Sequence, residues 1–351
     1  MHHGQSGNNN INILVTGHKG YIGYVLIPAL IESGYKNIIG LDTDLYRQSL
    51  YYGQDYSGPE LNKDLRDITP DDLNGIDTII HLAGLSNDPL GNLNSTLTYE
   101  INYLATLRLA ELAKTSGVKR FIFSSSCSVY GASSGQQLSE TSETEPVTDY
   151  AKSKLLSEQG LSELADADFC PVFLRNATAY GLSPKMRFDL VVNNLSAWAY
   201  TTGNIFLKSD GTAWRPLVHI KDICRAFIST ISAPEEKVFN QIFNVGSNLD
   251  NYRIIDIACK IQQKMAGTVI KFADNAEKDT RNYNVSFDKL EREFPELENT
   301  VSLDEGIDEI YRSFREYGLD AGEFESARYN RLECIKLLQK EKTLNESLRW
   351  N

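Results

Sequence analysis

Over the first half of the chain, short apolar runs alternate with longer stretches in which apolar positions recur every three or four residues. Ile11–Thr16 (Ile-Asn-Ile-Leu-Val-Thr) predicts a buried strand, and Gly20–Ser33 the crossover helix that follows it. Ile38–Leu41, Thr78–Leu82, Arg120–Ser124 and Cys170–Leu174 are further strand runs, with helices over Ser95–Ser116 and Thr148–Leu164. Thr69-Pro70-Asp71-Asp72 has the form of a helix start: Thr as N-cap, Pro in the first turn, acids toward the positive helix end. Strict strand–helix alternation predicts a parallel sheet covered on both faces, an α/β fold of the Rossmann-type, doubly wound kind.

The rhythm changes after about Pro184, where short strands and helices mix. Ser302-x-x-Glu305 is a capping box before an amphipathic helix carrying Ile307, Ile310, Tyr311 and Phe314 on one face. The pattern divides the chain into a polar tail at 1–10, a nucleotide-binding part at 11–184 and a smaller mixed α/β substrate-binding part at 185–320. Segments around 217–246 return to the first part, and a charged, helical extension follows at 321–351. A cleft between the two main parts is where a ligand is expected.

Charge narrows the partners. Lys and Arg number 35 against 47 Asp and Glu, a formal net charge of −12, so nucleic acid is not an expected partner. No apolar run has the roughly 20 residues of a membrane helix. The five cysteines, Cys127, Cys170, Cys224, Cys259 and Cys334, are odd in number and form no C-x-x-C pair. That argues against a disulfide framework or a zinc site, no metal is expected, and a reducing cytoplasm is the expected compartment.

Chemistry enters at Thr16-Gly17-His18-Lys19-Gly20-Tyr21-Ile22-Gly23, between the first strand and the first helix. Gly17 permits a tight turn, Gly20 lets the backbone approach a pyrophosphate, and Gly23 lets the helix pack on the sheet. The helix N-terminus, with Tyr21 and Ile22 beside it, then offers free N–H groups to phosphates. Asp42 ends the second strand, where a carboxylate accepts both ribose hydroxyls of NAD and repels a 2′-phosphate. Lys19 points the other way, toward NADP; the Asp is the more direct discriminator, so NAD is the expected cofactor. In Asp64-Leu65-Arg66-Asp67 an acid can meet the adenine amino group, with Leu65 beside it. Leu82-Ala83-Gly84 supplies small residues past which the cofactor can run.

Ser124-Ser125-Ser126 ends the fifth strand and Tyr150-Ala151-Lys152-Ser153-Lys154 opens the next helix. Tyr150 and Lys154, four apart, share a helical face. A Lys ammonium near the nicotinamide ribose lowers a Tyr pKa and makes the phenol a usable general base. A Ser hydroxyl can hold the same substrate oxygen while the nicotinamide takes the hydride.

At these residues the chain resembles the extended short-chain dehydrogenase/reductases of the NAD-dependent epimerase/dehydratase family, in particular the UDP-glucose 4-epimerase-like branch, from about Ile11 to Tyr317. The pattern T-G-x-x-G-x-x-G is Thr16 to Gly23, H-L-A-[AG] is His81 to Gly84, and S-S-S-x-x-V-Y-G is Ser124 to Gly131. The resemblance makes Ser126 the catalytic hydroxyl, Tyr150 the acid/base and Lys154 its partner, with Ser124 against the cofactor and Cys127 beside the sugar. It also implies sugar contact at Thr178, which stands where Asn is commoner in the strand Leu174–Gly181. Asn194 resembles the helix start that touches the substrate diphosphate. Arg215 and Arg281 resemble its two arginine ligands, a guanidinium being suited to bidentate phosphate contact. Family members that dehydrate sugars carry an acidic pair after the catalytic hydroxyl; Cys127-Ser128 stands there, which disfavours 4,6-dehydration.

The resemblance therefore implies a nucleotide-diphosphate sugar substrate, hydride transfer at a sugar carbon such as C4, and epimerisation. The alternatives are a one-way 4-dehydrogenase or 4-keto reductase with the same residues, and a non-catalytic NAD-binding regulatory protein. A homodimer is expected, through the helices over Ser95–Ser116 and Thr148–Leu164.

Overall fold

Strand β1 (Asn12–Thr16) stands near the middle of a seven-stranded sheet in the computed structural model, which describes residues 10–91, 94–131, 137–277 and 282–351. On one side lie β2 (Asn37–Asp42) and the edge strand β3 (Glu60–Asn62); on the other lie β4 (Thr78–His81), β5 (Arg120–Ser126), β7 (Cys170–Asn176) and β11 (Gln241–Val245). Every pair in this sheet is parallel. Ile13, Leu14 and Val15 are fully buried on both faces, as an apolar run between two helical layers requires. The chain runs outward through β2 and β3, then returns to β4 on the far side of β1. That reversal opens a crevice at the strands' carboxyl ends, the usual ligand position in such sheets.

Helix α1 (Gly23–Glu32) packs Leu26, Ile27 and Leu30 inward and leaves Ile31 exposed. Over Ser95–Ser116 the expected helix is not uniform. An opening Ser95–Tyr99 turn leads into a π-helical turn at Glu100–Leu104, before α2 (Ala105–Thr115) proceeds regularly. The wide turn aims the buried Asn102 amide inward. Its Oδ1 accepts from Leu85 N at 2.7 Å, and its Nδ2 donates to Leu85 O at 3.0 Å and Ser153 Oγ at 3.2 Å. The loop after β4 is thereby tied to helix α3 (Asp149–Glu163), a use typical of π-turns near functional sites. Thr69–Asp72 starts only a short 3₁₀ turn, Pro70–Leu73, capped as expected by Thr69 and Asp72.

The second half returns α5 (Ile220–Ser232) and β11 to the large sheet after helix α4 (Val191–Thr202). Outside that sheet, β8 (Thr178–Tyr180), β10 (Trp214–His219) and β12 (Asn251–Arg253) make a small sheet. Two pairs remain: β9 (Asn204–Ser209) with β13 (Val269–Glu277), and β6 (Gln137–Leu138) with β14 (Asn284–Val285). Helices α4, α6 (Ile254–Lys264) and α7 (Leu303–Tyr317) enclose a second core that includes Met186, Phe188, Ile257, Ile307, Ile310 and Phe314. The Ser302–Glu305 box forms at the start of α7: Ser302 N donates to Glu305 Oε2 at 2.9 Å, and Glu305 N to Ser302 Oγ at 3.3 Å.

The C-terminal extension is less helical than its pattern predicts. Only α8 (Arg331–Lys340) and a turn at Ala321–Phe324 are helical. Beyond α8 the backbone turns through left-handed Lys342 and Leu348 and closes with a bridge between Leu344 and Trp350. Tertiary contact overrides the local pattern, because Leu348 buries against Leu85, Leu97 and Ile335. Among the described residues no helix is long and apolar enough to cross a membrane.

Candidate active site

The glycine loop shapes the crevice. Gly17 has φ +74°, and a Cβ there would stand 2.7 Å from Ala83 N, so only glycine fits between β1 and the segment after β4. A Cβ on Gly23 would meet His18 O at 2.4 Å, whereas one on Gly20 would meet only Gly17 O at 3.1 Å. The first and third glycines therefore serve packing, and the second keeps the approach to the helix N-terminus open.

One cavity collects most of the residues that the sequence singles out for a dinucleotide, though not Ser124, Tyr150 or Lys154. Gly17, Gly20, Tyr21, Ile22 and Gly23 line it from the loop, Asp42, Asp64 and Leu65 from the ends of β2 and β3, and Leu82, Ala83 and Gly84 from the end of β4. Asp42 accepts from Lys19 N at 2.9 Å and Asp44 N at 2.8 Å, which fixes its carboxylate at the strand end. Burial pushes its pKa up, partly opposed by those two N–H groups. Lys19, the residue that favoured NADP, is neutralised: Nζ lies 2.8 Å from Glu60 and 3.6 Å from Asp44. Asp64 is held by Arg66 through Nε at 2.9 Å and Nη2 at 2.7 Å. The buried His81 is a pin, bonded to Thr16 Oγ1 at 2.6 Å and Thr106 Oγ1 at 2.8 Å; burial drives its pKa down to about 3.

The Ser–Tyr–Lys set assembles where β5 ends and α3 begins. Thr148 caps α3, accepting from Ala151 N at 3.2 Å, and its own hydroxyl donates to Asp88 at 2.7 Å. The Ser126 side chain lies close enough to the Tyr150 hydroxyl to lower its pKa. Lys154 is buried and donates to the Ser124 carbonyl at 2.8 Å, with its ammonium 4.6 Å from the Phe123 ring. Burial lowers the Lys154 pKa to about 8, against the pull of Glu158.

One electrostatic expectation changes. Burial raises the Tyr150 pKa to about 12; what opposes the rise is the nearby Ser126 side chain and the charge of Arg187, while Asp88 adds to it. Lys154 points at the strand end instead. Arg187, to which the sequence reading gave no role, lines the cavity and is held bidentately by Asp189 at 3.0 and 2.5 Å. It also donates to Ser86 Oγ at 3.2 Å, and Asn87 donates to Asp189 at 2.6 Å. The Arg187 charge holds Asp189 near a pKa of about 2 despite burial.

Behind these groups lies a second network that the pattern did not signal. Glu158, four residues beyond Lys154, pairs with the buried Arg175 of β7 at 3.0 and 2.6 Å. Arg175 also donates to Tyr130 Oη at 3.0 Å, Tyr130 donates to Asn244 at 2.7 Å, and Ser125 donates to Glu158. The pair joins the helix that carries Tyr150 and Lys154 to the strand beside β5.

The residues suggested for sugar and diphosphate are more scattered. The Cys127 thiol is buried and donates to Arg175 O at 3.1 Å, so its side chain faces the core rather than the crevice. Asn194 donates to Phe188 O at 2.7 Å and holds the loop before α4. Arg215 is buried on β10, donates to Trp214 O at 2.7 Å and lies 5.6 Å from the Tyr283 ring. Thr178 lies on β8 opposite Leu217. None of these four lines the dinucleotide cavity. Arg281 lies outside the described residues.

A Gly-rich loop at a sheet reversal, an acid at the end of β2 and a Ser–Tyr–Lys set define a dinucleotide-dependent oxidoreductase-type site. Residues 13–246 match the model of the NAD dependent epimerase/dehydratase family. The UDP-glucose 4-epimerase of Yersinia pestis is 32% identical over 270 residues, 68% of this chain and 78% of that one. The UDP-glucose 4-epimerase of Bacillus subtilis is 29% identical over 294 residues, 75% of this chain and 85% of that one. Among solved structures, MoeE5 in complex with UDP-glucuronic acid and NAD has a TM-score of 0.75 at 26% identity, covering 87% of this chain and 99% of that one. The NDP-hexosamine 5,6-dehydratase TunA, at 21% identity and TM-score 0.75, shares the fold over 87% of this chain and 97% of its own. The chain belongs to the NAD dependent epimerase/dehydratase family, and NAD is its cofactor.

Proposed function

We propose that the protein modifies a nucleotide-diphosphate sugar by reversible hydride transfer at a sugar carbon, C4 in the first instance, with epimerisation as the net reaction. The observation that carries this reading is Ser126 beside the Tyr150 phenol, on the strand end and helix start that also carry the buried Lys154, with the phenol under the charge of Arg187, which lines the dinucleotide cavity. The names of the curated relatives support it, and the absence of an acidic pair at Cys127-Ser128 weighs against dehydration.

NAD, when bound, would supply the hydride acceptor and donor. Tyr150 takes the hydroxyl proton as the carbon–hydrogen bond breaks, and gives it back when the keto sugar is reduced. Ser126 holds the same oxygen and, with Arg187, brings the phenol toward working range. Lys154, fixed on the Ser124 carbonyl, would hold a ribose hydroxyl of the cofactor. Arg215 and Arg281 are proposed to hold the diphosphate. The pair of helices α2 and α3 is proposed as a dimer face, supported by Leu104, which is 55% exposed beside α2; light scattering of the eluting protein reads the assembly.

The test is Tyr150→Phe, which keeps the ring and removes the oxygen. NAD and sugar nucleotide should still bind, while single-turnover NADH formation falls by about two to four orders of magnitude. Transfer at the unmodified rate would sink the mechanism. An unmodified protein that binds sugar nucleotides and never forms NADH or product would point to a non-catalytic, NAD-binding role.

A further inference from the structure

Five cationic side chains line the dinucleotide cavity: Lys19, Lys63, Arg66, Arg187 and Arg331. Four are matched by carboxylates: Lys19 by Glu60 at 2.8 Å, Lys63 by Asp72 at 2.7 Å, Arg66 by Asp64 at 2.7 Å and Arg187 by Asp189 at 2.5 Å. Arg331 differs. Among the described residues no carboxylate lies within 4.0 Å of its guanidinium. Yet it is only 3% exposed, donates to Ser49 Oγ at 3.0 Å and lies 4.0 Å from the Tyr46 ring. Burial and the Arg187 charge disfavour its charged form, while the Tyr46 phenol and the more distant Asp189 carboxylate, already held by Arg187, favour it. The Tyr46 hydroxyl, buried beside it, has no hydrogen-bond partner among the described residues, and Tyr46 also lines the cavity.

A buried guanidinium with no carboxylate in direct contact is costly to keep charged, and an anion bound in the cavity would offset that cost. A phosphate group offers what both side chains lack: negative charge for Arg331 and an acceptor for the Tyr46 hydroxyl. The same cavity is also lined by the Gly17–Gly23 loop and the N-terminus of α1, which favour a phosphate.

Arg331 comes from the C-terminal extension, and that extension is tied to the cavity rim rather than loosely attached. Trp350 Nε1 donates to Thr43 O at 2.6 Å, and the Arg47 guanidinium lies 3.6 Å from the Trp350 ring centre. Arg66 donates to Ser347 O at 2.8 Å, and Arg349 pairs with Asp67. These contacts brace the two loops that begin with Asp42 and Asp64. Leu348, 2% exposed and held in a left-handed backbone, lines the cavity between them.

We propose that segment 320–351 is a fixed wall of the NAD site, in which Arg331 and Tyr46 bind the cofactor's pyrophosphate and Leu348 closes the adenosine side. This binding claim does not depend on which sugar reaction the site carries out.

The test uses full-length Arg331→Gln, Arg331→Lys and Leu348→Ala, stripped of nucleotide, with NAD, ADP and adenosine as probes. Arg331→Gln should weaken NAD and ADP about 10- to 100-fold, as expected for charged hydrogen bonds, and leave adenosine unchanged; Arg331→Lys should recover part of the loss. The melting temperature of the nucleotide-free protein should hold or rise, because an unmatched buried charge has gone. Leu348→Ala should weaken adenosine and NAD alike and raise the amount of NAD lost during purification. Unchanged ADP binding in Arg331→Gln would overturn the proposal, as would equal loss of ADP and adenosine with a lowered melting temperature. Failure of hydride transfer in a protein that shows the expected ADP pattern would count against the sugar reaction alone.

Discussion

Arg187 and Tyr150 come from different halves of the chain, and the charge of the first acts on the phenol of the second across the crevice. Asp189 holds the guanidinium in place, so the cation is part of a rigid pair rather than a mobile side chain.

Arg187→Gln should therefore raise the Tyr150 pKa above its value of about 12, since one of the two influences that lower it is removed. The rising limb of kcat/KM against pH should move up by about one unit, the scale of a nearby opposite charge. Asp189→Asn, which keeps the cation and removes its counter-charge, should move the limb the other way. A profile that stays put in both variants would mean that Arg187 does not reach the phenol.

Cofactor choice should depend on two acids. Asp42→Ala removes the ribose partner and should narrow the preference for NAD over NADP. Lys19 remains matched by Glu60 at 2.8 Å, so the single variant should still bind NADP weakly. Adding Glu60→Gln removes the nearer of the lysine's two carboxylates and leaves Asp44 at 3.6 Å, and NADP affinity by calorimetry should rise further. Tighter binding of NADP by the unmodified protein would refute the assignment of Asp42.

The Glu158–Arg175 pair should be structurally expensive to break. Both partners are about 4% exposed and bidentate. Arg175→Met leaves a buried carboxylate unmatched and should cost about 3–5 kcal/mol in denaturant unfolding. Glu158→Leu added to it should restore at least half of that loss. Additive losses would show that the wider network with Ser125 and Tyr130, rather than the ion pair, sets the stability.

Asp250 should work against folding at neutral pH. Burial, reinforced by the charge of Asp222, raises its pKa to about 6. An acid whose pKa is higher folded than unfolded adds stability only while protonated. Its contribution is complete below the unfolded value of about 3.9 and is lost as pH rises through about 6. Asp250→Asn should then melt higher at pH 8, by roughly 1–3 kcal/mol of stability, with the gain shrinking to nothing near pH 4. A gain that is the same at both pH values would exclude titration as its cause.

The amino-acid sequence by itself determined the alternating strands and helices of the first half. It also determined the glycine loop, the acid ending β2 and the one-turn spacing of Tyr150 and Lys154. These are local: hydrophobic period, caps and glycine positions act within a few residues, and the order of elements permits few topologies. The Ser302–Glu305 box and the Thr69 cap were legible for the same reason. Tertiary structure decided what depends on residues far apart in the chain. Arg187 meets Tyr150, and Glu158 meets Arg175, only once the sheet has formed. The π-turn at Glu100–Leu104 exists because Asn102 is drawn to Leu85 and Ser153. The extension shows why pattern alone fell short: its charged, helix-like sequence carries Arg331 and Leu348, but only packing against the β2 and β3 loops bends it out of helix and brings both to the cofactor cavity.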